Sequence, residues 1–119
     1  MARLISFSMT EAQVRDRSKT VTRRLGWRWA KPGDVLRGVR KVMGRKKGEP
    51  LVDLALVRVV SARREPLCAI TEDDVAREGY PGKSPWWFIG KFMQAMQCAI
   101  DTEVTRIEFE YVDQEKDGA

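Results

Sequence analysis

The 119-residue sequence predicts an α+β domain of about five to six strands and three short helices, whose sheet can close into a small β-barrel. Three observations carry this. Residues 51–61 form an almost unbroken apolar run rich in β-branched side chains, the pattern of a central strand. Residues 35–42 and 102–112 alternate apolar and polar side chains with a period of two. Thr10, Thr71 and Ser84-Pro85 each stand where a helix begins.

The elements follow in order. Residues 1–8 read as a short strand through Leu4, Ile5 and Phe7. Thr10 opens a helix, with Gln13 placed for a capping box and Glu11 suited to the positive helix N-terminus. That helix ends near Arg17 and Ser18. Next comes Lys19-Thr20-Val21-Thr22-Arg23-Arg24, a basic stretch whose β-branched residues favour a strand. Regular alternation puts Thr20, Thr22 and Arg24 on one face and Lys19, Val21 and Arg23 on the other. Lys19 and Thr22 converge only if Lys19 sits at a bent entry to the strand. On pattern alone, the favoured reading is a solvated edge strand with phosphate-binding charge.

Trp27 and Trp29 follow, two apart, and among the neighbouring arginines they can serve as core packing or as a base-stacking platform. Pro32-Gly33 turns the chain into the strand at 35–42, which carries Arg37 and Arg40. Residues 43–50 form a Gly-rich basic loop with Arg45, Lys46 and Lys47, expected at a hairpin tip on the nucleic-acid face. After the 51–61 strand, residues 63–66 end it. Thr71 caps a helix running to about Glu78, and Gly79 stops it. Ser84 and Pro85 start a third helix whose apolar side is Trp86, Phe88, Ile89, Phe92, Met93 and Met96. In the last strand Thr105, Ile107, Phe109 and Tyr111 face inward, and Arg106, Glu108 and Glu110 outward. Residues 1–112 read as one domain and 113–119 as a polar, flexible tail.

Composition narrows the chemistry. There is no histidine, which excludes Ser-His-Asp and Cys-His catalysis and a His/Cys zinc deaminase. Lys, Glu, Asp, Thr, Ser, Tyr and Cys remain. The net charge of +5 divides into about +12 over residues 15–64 and −7 elsewhere, which suggests a basic face and an anionic partner such as RNA or DNA. The alternative is that the fold mixes these charges in space. Cys68 and Cys98 read as buried thiols, and no metal site or cofactor is expected. No run is long enough for a membrane span and no signal-peptide core is present, so a cytoplasmic monomer is expected.

Lys19-x-x-Thr22-x-Arg24, followed by Lys31-Pro32-Gly33-Asp34-Val35-Leu36, resembles the ASCH domain, a PUA-like β-barrel whose hallmark is Gly-x-Lys-x-x-Thr/Glu-x-Arg and then a Gly-Asp turn. The resemblance spans nearly the whole chain, though Arg17 stands at the motif glycine. Within that family the chain is similar to the small stand-alone enzymes that hydrolyse N4-acetylcytidine to cytidine and acetate. The resemblance puts their catalytic Lys on Lys19 and their Thr nucleophile on Thr22. Their catalytic Glu closes a helix that begins like Ile70-Thr71-Glu72, which puts it on Glu78.

Two functions follow. In the first, burial and neighbouring cations (Arg17, Arg23 and Arg24) favour neutral Lys19, which takes the Thr22 proton for attack on the acyl carbonyl. Glu78 then orients the lysine or holds the exocyclic nitrogen, while its charge opposes the fall in the Lys19 pKa. In the second, the protein binds RNA or a modified base without amidase activity, or acts as a ribonuclease. Arg23, Arg24, Trp27, Trp29, Arg37, Arg40, Arg45, Lys46 and Lys47 are the residues expected to contact substrate or nucleic acid.

Overall fold

The apolar run becomes the middle strand of a five-stranded sheet. This computed structural model describes residues 2–113, so the tail expected at 113–119 lies, beyond Asp113, outside the described residues. The strands are β1 (Arg3–Ser6), β2 (Val21–Arg24), β3 (Val35–Val39), β4 (Asp53–Pro66) and β5 (Glu103–Val112), in the spatial order β1-β3-β4-β5-β2. β1 runs parallel to β3, and the other pairs are antiparallel. The helices are α1 (Glu11–Arg15), α2 (Glu72–Arg77) and α3 (Pro85–Met96), with a 3₁₀ turn at Leu67–Ala69.

The sheet curls into a half-barrel with the three helices around it, an α+β arrangement. Two register shifts help to bend it, one after Gly38 in β3 and one between Val59 and Ser61 in β4, where an extra residue increases local twist. Gly38 is required for another reason: a Cβ there would lie 2.9 Å from the Phe7 ring. The edges β1 and β2 are tied by a side chain, the Arg24 guanidinium donating Nη2 to the Ser6 carbonyl at 2.7 Å.

Two apolar clusters cover opposite faces. One gathers Ile5, Phe7, Val14, Leu36, Val57, Val59, Ile107 and Phe109 inside the curl. The other packs Val104 against Leu67, Ile70, Val75, Phe88, Ile89 and Phe92 beneath α2 and α3. Each buried side chain of this kind contributes roughly 1.5–3 kcal/mol. Because both faces are covered at the β5 start, Arg106 is buried beside Asp74 rather than outward as its alternation predicts.

Other expectations need correcting. β3 stops at Val39 rather than 42, and β4 continues to Pro66 because β5 pairs with Arg63, Arg64 and Glu65. Thr10 lies before α1 but makes no side-chain cap, and Gln13 instead donates Nε2 to the Gly79 carbonyl at 3.2 Å. Trp86 stands about 200° around α3 from Phe88 and is 71% exposed, off the apolar face. Cys68 lies at the surface, turned outward by the 3₁₀ turn, whereas Cys98 packs partly against the second cluster. Among the described residues no helix is long and apolar enough to cross a membrane.

Candidate functional site

Lys19 precedes β2 rather than belonging to it. Arg17 adopts φ +64°, a left-handed turn that glycine makes at less cost, and its guanidinium lies 5.4 Å from the Tyr111 ring centroid. The chain then enters β2 with the Lys19 amide donating to Gln13 O at 3.2 Å and Tyr111 Oη donating to Lys19 O at 2.6 Å. Burial raises the Tyr111 phenol to about 12, so it stays a donor. This irregular entry brings Lys19 and Thr22 to the wall of one cavity.

The Lys19 side chain is enclosed. Its Nζ donates to Glu78 Oε1 at 2.9 Å and to the Glu78 carbonyl at 2.7 Å. Glu78 caps the C-terminus of α2, where the last carbonyls need partners from outside the helix: the Arg77 carbonyl accepts from the Thr20 amide at 2.8 Å, and the Glu78 carbonyl from Lys19. Gly79 then breaks away at φ +109°, a position where a Cβ would strike Gln13 at 2.8 Å. Burial pushes the Lys19 ammonium below its ordinary pKa; Glu78 opposes this, while Arg24 and Arg23 reinforce it.

Behind Glu78 lies a buried ionic network. Arg23 donates to Glu78 Oε2 at 3.3 Å, to Glu65 Oε2 at 2.7 Å and to Asp74 Oδ2 at 2.7 Å. Arg106 reaches both Asp74 oxygens, at 2.7 and 3.0 Å. The Arg106 guanidinium, and then Arg23, hold the Asp74 carboxyl well below the usual carboxylate range. Arg23 Nε is buried without a hydrogen-bond partner. The guanidinium expected to contact substrate is therefore largely engaged by protein carboxylates, and it braces Glu78.

Arg24 takes the opposite face. Its Nε donates to Thr22 Oγ1 at 3.1 Å, and its charge lies 5.3 Å from the Phe7 ring and 6.0 Å from the Trp27 ring. Burial lowers it to about 10, which leaves it cationic at neutral pH. Thr22 itself is 3% exposed.

These groups line a cavity of about 300 Å³, within the range of small-ligand sites. Ser6, Ser8 and Thr10 add hydroxyls, and Tyr80, Phe88 and Phe92 form an aromatic wall. Met9 and Met96, 55% and 41% exposed, mark the outer end, with Lys91 beside them.

The remaining expected contacts lie elsewhere. Trp27 and Trp29 stack at 4.8 Å, Trp27 against the inner cluster and Trp29 under the Arg3 guanidinium at 4.3 Å. Neither lines the cavity. Arg37 pairs with Asp53, and Arg40 with Glu11 at 2.8 Å. Arg45, Lys46 and Lys47 are exposed in the 43–50 loop, also away from the cavity. Asp74, Arg106, Tyr80 and Tyr111 were not singled out from the sequence. From the strand alternation, Arg106 was expected to face solvent.

No protein-family profile matches the chain, and no curated protein matches it in sequence. Solved structures do match in shape. A protein from Enterococcus faecalis V583, assigned to the family DUF984, superposes with a TM-score of 0.67 at 16% identity, over 100% of this chain and 82% of that one. An ASCH domain from Lactobacillus crispatus JV V101 gives a TM-score of 0.60 at 15% identity, over 92% and 78%. The fold is ASCH-like.

Proposed function

We propose that the protein is an amidohydrolase that cleaves an N4-acylated cytidine, releasing cytidine and the carboxylic acid, acetate in the simplest case. One observation carries this reading: a lysine shut away from solvent, gripped by Glu78, shares a nucleoside-sized cavity with a threonine hydroxyl held by Arg24.

In the resting site Thr22 Oγ is an acceptor from Arg24, so its own proton is available to a base. Neutral Lys19 takes that proton as Thr22 Oγ bonds to the acyl carbon. The carbonyl π pair moves onto oxygen, and the Arg24 guanidinium beside Thr22 compensates that charge. The tetrahedral centre collapses, the carbon–N4 bond breaks, and the Lys19 ammonium returns the proton to the leaving nitrogen. Water then cleaves the threonyl ester with Lys19 again as base, restoring the hydroxyl and releasing the acid. Glu78 holds the Lys19 amine in place through both halves. The aromatic wall of Tyr80, Phe88 and Phe92 gives the cytosine ring an apolar surface.

Cytidine release from N4-acetylcytidine by the pure protein tests the reaction. Thr22→Val keeps volume and β-branching but removes the attacking oxygen, so turnover should fall on the order of 10³-fold or more. Affinity should fall by no more than one hydrogen bond to the ligand, about 0.5–1.5 kcal/mol. Thr22→Ser should retain part of the rate. Undiminished turnover by Thr22→Val rejects the nucleophile. Nucleoside binding with no turnover in the wild type makes the site a recognition pocket.

A further inference from the structure

Four cations line the cavity, and three are accounted for. Lys19 is matched by Glu78, and Arg23 is shared among Glu78, Glu65 and Asp74. Arg24 stands where the reaction develops negative charge. Lys91 has no such role. It lies on α3 at the outer end of the cavity, and among the described residues no carboxylate forms an ion pair with it.

Its ammonium is instead held 5.5 Å from the centroid of the Trp87 ring. Lys83, in the loop before α3, approaches the same ring at 5.2 Å, and it too has no carboxylate partner among the described residues. The ring is fixed in turn by Tyr80, edge-on at 5.0 Å, which lines the cavity. Two like charges thus lie against one indole, whose neighbour Tyr80 and whose partner Lys91 both line the cavity. No carboxylate among the described residues offsets them, and an anion bound at this ring would. The compact, rotatable ammonium of lysine suits a phosphate, whose charge is spread over several equivalent oxygens.

We propose that Lys83 and Lys91, seated on Trp87, form a phosphate subsite at the cavity mouth, and that the ligand is a cytidine carrying a phosphate on its ribose. This rests on the reading of the cavity as a cytidine site. With the base against the aromatic wall and the acyl group at Lys19, the ribose points outward and its phosphate reaches α3. A free nucleoside leaves both lysines unmatched.

Calorimetry with CMP and with cytidine tests the subsite without requiring turnover. CMP should bind at least tenfold more tightly at low salt, and the advantage should shrink as salt rises. In K83M/K91M, which keeps the aliphatic stems on Trp87, CMP should fall to the affinity of cytidine; an unchanged melting temperature shows that the fold survives. Equal affinities in the wild type, or a CMP advantage that persists in K83M/K91M, overturns the proposal. A trinucleotide with a central cytidine tests the other source of the phosphate: binding tighter than CMP, lost in K83M/K91M, keeps the subsite and makes the ligand an RNA strand. The two readings fail separately. A CMP advantage without hydrolysis of N4-acetylcytidine removes the amidase and keeps the subsite. Hydrolysis with equal kcat/KM for the nucleoside and its monophosphate does the reverse.

Discussion

At the scale of single residues, the proposed reaction turns on the protonation of Lys19. A base must be neutral to accept the threonine proton, so the rate should rise with pH through the Lys19 pKa, which burial places below that of free lysine. The Glu78 carboxylate favours the ammonium form and holds this pKa up against burial. Glu78→Gln removes that charge, so the rising limb of the pH–rate profile should move to lower pH while the maximum rate drops. The two effects separate in one titration of kcat/KM against pH. If the limb stays in place while the rate falls, Glu78 acts by shape alone.

At the scale of elements, α2 is what presents Glu78, and α2 is anchored by charge as well as by Val75. Asp74 receives Arg23 and Arg106, so α2, β2 and β5 meet at one carboxylate. Breaking a buried ion pair costs up to about 3–5 kcal/mol, and here Arg106 loses its main partner while Arg23 keeps Glu65 and Glu78. Asp74→Asn should therefore lose up to about that much stability in urea unfolding at neutral pH. The Asp74 carboxyl has a depressed pKa in the folded state, so its contribution is complete above the ordinary aspartate range. It is lost as pH falls from there through the folded-state pKa. The wild type should lose stability on acidification below about pH 4, and Asp74→Asn should lose less over the same interval. Parallel pH dependences for the two proteins would remove Asp74 from this role.

At the scale of the whole molecule, folding mixes the charge that is segregated along the chain. Arg23, Arg40 and Arg64 of the basic segment pair with Asp74, Glu11 and Glu103 from outside it, while Arg37 and Lys41 pair with Asp53 and Glu49 within it. Of the 37–47 region, the side chains of Arg45, Lys46 and Lys47 form no ion pair among the described residues, Glu49 being engaged by Lys41. RNA that binds there should show a slope of log K against log salt no steeper than about −3, at about 0.7–0.9 per phosphate. Replacing the three with Ala should remove that slope. A slope of about −6 would mean that the paired arginines open to bind phosphate, contrary to the structure.

Local chemistry made much of this legible before any coordinates. The central position of β4 followed from its apolar run, the caps of α2 and α3 from Thr71 and Ser84, and the motif at 19–24 identified the stretch that meets Glu78. Alternation also separated Thr22 and Arg24 from Arg23 correctly, because it depends on the pleat alone. What the chain could not declare was which polar groups would lose their water. Arg106 read as a surface residue, and its burial beside Asp74 depends on two helices folding over one end of β5. Tyr111 holds Lys19 across 92 positions, and Gln13 reaches Gly79 across 66. Whether Lys19 is a solvated cation or an enclosed base is likewise a property of its surroundings. Desolvation belongs to no residue by itself; it arises only when distant segments close around the group.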